Sequence, residues 1–124
     1  MSDPSRNMTA MESAERTATY ATQPLKNVNY AGAHIIITTS GVQAGAAVTF
    51  KVEGWDMASQ NWYEIIESEQ VITVRQIILR ILFGASPVPN LVVNDQLPLT
   101  FRIVAEHTNS LPITYSVGVN FIKG

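Results

Sequence analysis

The chain of 124 residues contains no cysteine. This absence excludes a disulfide framework, thiolate zinc ligands and a cysteine nucleophile. Charged residues are also scarce, at 15% of the chain against about 25% in an average soluble domain. Because 46% of the residues are apolar, the surface must be rich in Thr, Ser, Asn and Gln, which favours a protein partly covered by neighbours.

A surplus of positive charge is missing too, since the formal net charge is −2. We therefore expect no nucleic-acid partner. The N-terminus lacks the basic start and apolar stretch of a secretory signal. The longest strongly apolar run, residues 77–85, is interrupted by Arg80 and falls far short of the roughly 20 residues that cross a bilayer. The sequence predicts a soluble protein with no membrane partner.

The familiar catalytic motifs are absent: the sequence has no P-loop and no G-x-S-x-G elbow. His34 and His107 are far apart and lie outside any metal-ligand spacing, so a structural role is expected for both. The acidic residues near the predicted hairpin are expected to be solvated rather than to form an acid/base pair. These are Glu53, Asp56, Glu64, Glu67 and Glu69. We expect no enzyme, no cofactor and no metal.

The chain divides into two parts by its hydrophobic pattern. Residues 1–27 are dominated by small and polar residues without a sustained apolar period, which predicts a flexible N-terminal arm that orders only against a partner. From Tyr30 onward the period changes to two, and β-branched and aromatic residues gather into short runs. Residues 28–124 are therefore predicted to form a β-sandwich domain.

Six strand-forming runs follow one another in this second part. The second and third are expected to form a hairpin, and the fourth is either one bent strand or two strands. The loop after the fourth run contains three prolines, which argue against a central strand there. The predicted fold is all-β, an antiparallel β-sandwich or a jelly-roll-like barrel, with an extended N-terminal arm. The runs cover residues 33–39, 48–53, 62–67, 71–83, 99–107 and 113–122.

Aromatic and arginine side chains are the candidate contacts with other molecules. Trp55, Trp62 and Tyr63 flank the hairpin loop, where they either form an exposed aromatic platform or partly fill the core. The strand arginines either pair across strands with Glu53, Glu64 or Glu106, or contact a neighbouring subunit. The candidate partner-binding residues are Tyr20, Leu25, Trp55, Trp62, Tyr63, Arg75 and Arg80.

Four segments carry a resemblance to a known group of proteins. They read NVNYAGAHIIITTSGV, VTFKVEGWDMASQNWYEIIES, NDQLPLTFRIVAEHTN and ITYSVGVNFI, and the second and fourth are the most distinctive. From Asn27 to Lys123 the chain resembles small virion structural proteins of tailed bacteriophages. In that group the hairpin reads as an apolar strand, Gly, an acidic residue, a polar loop and an aromatic strand, and Gly54, Asp56 and Trp62 fill these places. The 71–83 run and the longer arm depart from the group.

The resemblance implies a structural role without catalysis. It points to a capsid decoration or cement protein that sits on the surface of the assembled head, built in the host cytoplasm, and bridges capsid subunits. The expected partners are the major capsid protein and further copies of the chain, as a trimer. Two alternatives stay open: a tail or neck component, and a carbohydrate-binding module that uses Trp55, Trp62 and Tyr63 for host-surface glycans.

Overall fold

The structure, a computed structural model, describes residues 7–123 and shows an all-β sandwich. Two sheets pack against each other around one apolar core, so the sandwich form of the predicted all-β fold is confirmed. The strands are β1 (Asn7–Arg16), β2 (Tyr20–Ala21), β3 (Leu25–Lys26), β4 (Gly32–Val42), β5 (Val48–Asp56), β6 (Asn61–Glu67), β7 (Gln76–Ile81), β8 (Val92–Val93), β9 (Thr100–His107) and β10 (Ile113–Ile122).

The two sheets differ in their connections. Sheet A has the order β1-β10-β4-β7-β8, and sheet B has the order β2-β9-β5-β6, with β3 also paired to β9. The pairs are antiparallel except for β7 with the two-residue β8, which runs parallel. The chain therefore passes repeatedly between the sheets, and among the described strands sequential neighbours pair directly only in the β5–β6 hairpin and in the short parallel β7–β8 pair.

The alternating pattern of the sequence determines which side chains face the core. On β10, Tyr115 and Val117 are fully buried, while the residues that alternate with the buried ones are half-buried on the outer face. In sheet B, Phe50 on β5 and Phe101 on β9 are likewise fully buried between the sheets. Each fully buried large apolar side chain contributes about 1.5–3 kcal/mol to folding, so this inward row is the main source of stability.

The long fourth run bends between the sheets. Val71 pairs with Val48 in sheet B, whereas Gln76 begins β7 in sheet A. The bend is held by Thr39, whose hydroxyl accepts the backbone N–H of Arg75 at 2.8 Å and lies 3.1 Å from the carbonyl oxygen of Thr73. Of the two interpretations of the run, the structure shows one sheet-A strand preceded by a bent segment.

The sequence predicts that residues 7–27 belong to a flexible N-terminal arm that orders only against a partner, whereas in the structure they pair with strands of their own chain. In the structure β1 is an edge strand of sheet A, paired antiparallel to β10, and β2 and β3 pair with β9 in sheet B. Residues 1–6 of the predicted arm lie outside the described residues.

Two register shifts explain why the pattern of β1 was missed. Met8 lies opposite Val119 and Met11 opposite Val117, so a step of three residues along β1 matches a step of two residues along β10. A second irregularity follows between Met11 and Ala14. Each extra residue reverses the alternation of inward and outward side chains, which removes the period of two from the sequence.

Candidate functional site

The two tryptophans meet on the outer face of sheet B. Trp55 on β5 and Trp62 on β6 are direct register partners, and their ring centroids lie 5.1 Å apart with 60° between the ring planes. Both side chains are half-buried. Because Gly54 faces the core, its neighbour Trp55 must face outward, and the same holds for its partner Trp62. Of the two interpretations of these residues, their exposure matches a surface role.

A groove opens beside this ring pair. Its volume is about 670 Å³, and most of its lining is apolar. Met57 and Leu99 on its rim are 79% and 69% exposed, which is unusual for apolar side chains of this size. We call it the Trp groove; it is lined by Pro24, Lys26, Trp55, Met57, Trp62, Pro98, Leu99 and Thr100.

Asn27 holds two walls of the Trp groove together. Its backbone N–H donates to the carbonyl oxygen of Leu99 at 2.8 Å, and its side-chain Nδ2 donates to that of Leu97 at 2.9 Å. Nδ2 also donates to the carbonyl oxygen of Tyr30, and Oδ1 accepts the Tyr30 N–H at 3.0 Å. The Asn27 side chain is buried, so these bonds are shielded from water and fix the loop that follows β3 against the start of β9.

The hairpin turn presents Met57 through a local hydrogen-bond pattern. Asp56 accepts the Ser59 hydroxyl at 2.7 Å and the Ala58 N–H at 3.2 Å. These bonds stabilise the ionised carboxylate, so the pKa of Asp56 is lowered, first by the Ser59 hydroxyl. Gln60 closes the turn with φ of 55°, and the tight loop leaves Met57 pointing into solvent.

One face of the Trp62 ring is covered by a cation. The Arg102 guanidinium lies 4.5 Å from the Trp62 ring centroid, and its Nε donates to Glu53 at 2.7 Å. This confirms a cross-strand pairing of Arg102 with Glu53. The pair holds the indole in one orientation, because a partly desolvated cation over the ring adds to packing.

Acidic side chains dominate the rest of this outer face. Glu53 and Glu64 are direct register partners, and Lys51 lies 3.6 Å from Glu67 and 3.2 Å from Glu106. Burial, a side-chain hydrogen bond with Glu67 and its negative charge raise the pKa of Glu64. The face therefore holds more negative charge than its two cations balance.

The remaining predicted contact residues do not join the Trp groove. Tyr63 lies opposite Gly54, hence on the core side of β6, where its ring fills the space that a Cβ would need. Leu25 packs against the core, and Tyr20 contacts the Arg16 guanidinium at 4.9 Å from its ring centroid. These three residues lie on other parts of the surface than the tryptophan pair.

The two predicted arginines are also apart from the groove. Arg75 is exposed just before β7, and its backbone N–H and C=O both bond to Thr39. Arg80 lies on the outer face of sheet A, level with His34 on β4, and lowers the pKa of His34 second to burial.

A polar cluster lies between the sheets at the end opposite the Trp groove. His107 Nε2 lies 2.9 Å from Tyr115 Oη, while His107 Nδ1 is buried without a hydrogen-bond partner among the described residues. Burial and the nearby Arg16 lower the pKa of His107, and burial raises that of Tyr115 to about 12. The described residues contain no group of three or more side chains placed to hold a metal.

Of the eight residues that line the Trp groove, sequence reasoning named only Trp55 and Trp62; it missed Met57 and Leu99 on the rim, and also Asn27, which holds the walls together. Met57 carried a signal, because an apolar residue inside a polar hairpin turn has no core to enter. Asn27 and Leu99 carried none, since their roles depend on loops that meet only in the folded chain.

Comparison with known proteins found no matching family model, no matching curated protein and no matching solved structure. Within residues 7–123 no helix is long and apolar enough to cross a membrane.

Proposed function

We propose that this chain is a virion structural protein, a decoration protein that binds an assembled capsid through the Trp groove and bridges capsid subunits. The observation that carries the proposal is an open apolar groove whose rim side chains, Met57 and Leu99, are mostly exposed. Exposed apolar groups around an aromatic pair are typical of surfaces that bind another protein.

The order within the groove supports tight binding. Asn27 and Asp56 fix the walls through backbone bonds, and Arg102 holds Trp62 in place. A partner therefore meets side chains that are already ordered, and binding loses less conformational entropy. Repetition of one such contact over a symmetric shell adds up through multivalency.

A protein partner fits the geometry better than a glycan does. Sugars stack on a free, flat aromatic face, but one face of Trp62 is covered by Arg102 and the two indoles meet at 60°. Tyr63, the third member of the expected platform, lies on the opposite side of the sheet.

The assignment to a virion is supported by the resemblance to small phage proteins. The hairpin segment that carries much of this resemblance, with Gly54, Asp56 and Trp62, also forms one wall of the Trp groove. The low content of charged residues suits a chain that is covered by neighbours. A tail or neck position would use the same groove on a different partner.

The test is to add purified protein to phage heads that lack it, pellet the particles and count the copies bound. We expect hundreds of copies per head, whereas a tail or neck component binds in a few copies. Met57→Glu and Leu99→Glu each place a charge on the groove rim without touching the core, and each is expected to abolish binding.

Ile72→Glu is the matched control, because Ile72 is 62% exposed and follows Val71, which pairs at the start of β5, the end opposite the Trp groove. This variant is expected to bind as the unmodified protein does. Full binding by both rim variants, or saturation at a few copies, would contradict the proposal. Glycan binding that is lost in Trp62→Ala, with folding retained, would support the carbohydrate-binding alternative instead.

A further inference from the structure

The two outer faces of the sandwich differ in charge. The outward register positions of sheet B carry a dense set of ionised side chains, several of them paired. They are Lys51, Glu53, Glu64, Glu67, Arg102 and Glu106. Such a face is well solvated, which is what an exposed sheet of a soluble protein requires.

The outer face of sheet A is nearly uncharged by comparison. Across β10, β4 and β7 its rows read Ser116–Thr38–Gln76, then Gly118–Ile36–Ile78, then Asn120–His34–Arg80. Arg80 is the one arginine or lysine of these three rows, and the described residues place no ion-pair partner beside it. Scarcity of charge around central apolar groups is typical of the middle of a protein interface.

The Glu15 carboxylate lies at the far corner of the same face. Glu15 on β1 lies opposite Thr114, which itself lies opposite Gly41. Glu15 is thus three strands and several rows away from Arg80, roughly 25 Å by ordinary strand spacing and rise. Neither residue has a salt-bridge partner among the described residues.

We propose that two copies of the chain pack face to face through the outer face of sheet A, with Arg80 of each copy beside Glu15 of the other. A two-fold axis that lies in the plane of the interface, perpendicular to the line from Glu15 to Arg80 and through its midpoint, exchanges these two positions. Both ion pairs then form at once, and Ile36 and Gly118 lie near the centre. Such a contact is isologous and closes as a dimer, whereas a trimer would need a different contact.

This arrangement is compatible with known sheet packing. By ordinary strand spacing, the strands of the two facing sheets cross at roughly 70°, close to the orthogonal class. A Cβ at Gly118 would be in ordinary van der Waals contact with the Met8 carbonyl oxygen, at 3.8 Å, and Gly118 itself adds no side chain to the middle of the face. The axis also bisects the directions of the two β10 strands, so the two Trp grooves lie toward the same end of the pair, on its opposite outer faces.

Sedimentation velocity over a concentration series tests the pairing without reference to the Trp groove. The unmodified chain is expected to dimerise, weakly and less at high salt, because both ion pairs lie at the border of the face. Arg80→Glu and Glu15→Arg each create two like-charge contacts and are expected to raise the dissociation constant about tenfold or more. The double variant Glu15→Arg/Arg80→Glu reverses both partners and is expected to restore the dimer.

Glu106→Arg on sheet B is the control, and it is expected to leave the dissociation constant unchanged. Far-ultraviolet circular dichroism of every variant shows whether the fold is retained. A monomer or a trimer for the unmodified chain overturns the pairing, and so does a double variant that fails to recover. Because head binding is measured separately with the Met57 and Leu99 variants, failure of one proposal is distinguishable from failure of the other.

Discussion

The guanidinium of Arg16 lies 4.7 Å from the centre of the Tyr115 ring and donates to the Tyr115 carbonyl oxygen at 3.0 Å. The same group donates to the carbonyl oxygens of Glu12, which lies within the second irregularity of β1, and Ala14, which ends it. Arg16 thus satisfies carbonyls that the irregular ladder leaves open, and it attaches the edge strand to the core.

Arg16→Ala is expected to loosen β1 and to lower the free energy of unfolding by about 1–3 kcal/mol, since hydrogen bonds from a charged donor are lost. Urea denaturation measures the loss, and hydrogen exchange is expected to locate it in β1. Arg75→Ala is the matched control, because that exposed side chain has no polar partner in the described chain. Equal losses in both variants would show that Arg16 does not attach the strand.

Acid is expected to weaken the same attachment through His107. Burial and Arg16 lower the folded-state pKa of His107, so its contribution to stability is complete above the unfolded-state value of about 6.5 and is lost as pH falls through the folded-state value. Protonation would place a second positive charge near Arg16. Amide exchange in β1 is therefore expected to speed up between pH 7.5 and pH 5, beyond its intrinsic pH dependence.

The two histidines of the chain allow a clean comparison. His107→Gln is expected to abolish the acid-induced gain in β1 exchange, while His34→Gln, on the outer face of sheet A, is expected to keep it. If the acid effect survives in His107→Gln, another group must be its source.

Asn27→Ala is expected to open the Trp groove. The change removes three side-chain hydrogen bonds in a buried position and should lower the free energy of unfolding by about 2–4 kcal/mol. Both tryptophans of the chain line the groove, so tryptophan fluorescence, excited at a wavelength where tyrosine does not absorb, reports on this site. A shifted emission maximum is expected for Asn27→Ala. Asn109→Ala, which removes exposed bonds to Gly45 and Leu111, should leave the maximum unchanged.

Two glycines of sheet A should differ in their response to the same substitution. A Cβ at Gly32 would collide with the backbone carbonyl oxygen of Ile81, which cannot rotate away, whereas a Cβ at Gly118 has ordinary space. Gly32→Ala is therefore expected to destabilise the fold by about 1–3 kcal/mol, and Gly118→Ala to change it little. Thermal unfolding of the two variants gives the comparison, and similar melting temperatures would show that the start of β4 adapts.

Local pattern was sufficient for most of the sandwich. The period of two along β5, β9 and β10 predicted strands, and their alternate apolar residues are the ones that face the core, because a side chain on a strand can reach the core only at every second position. The β5–β6 hairpin followed from a polar turn between two such runs. These features depend on neighbours within a few residues, so the sequence by itself determined the all-β class and the core residues of these strands.

Tertiary contact decided the rest. The pairing of β1 with β10 depends on backbone hydrogen bonds around two irregularities, which leave no period in the sequence. The Trp groove depends on Asn27 and Leu99, whose backbones meet only because β3 and β9 pair across a long stretch of chain. Strand alternation places Trp62 and Tyr63 on opposite sides of β6, but only the folded sheet decides that Trp62 is the one on the outer face. Contacts between residues distant in sequence form through the global fold, and no local pattern records them.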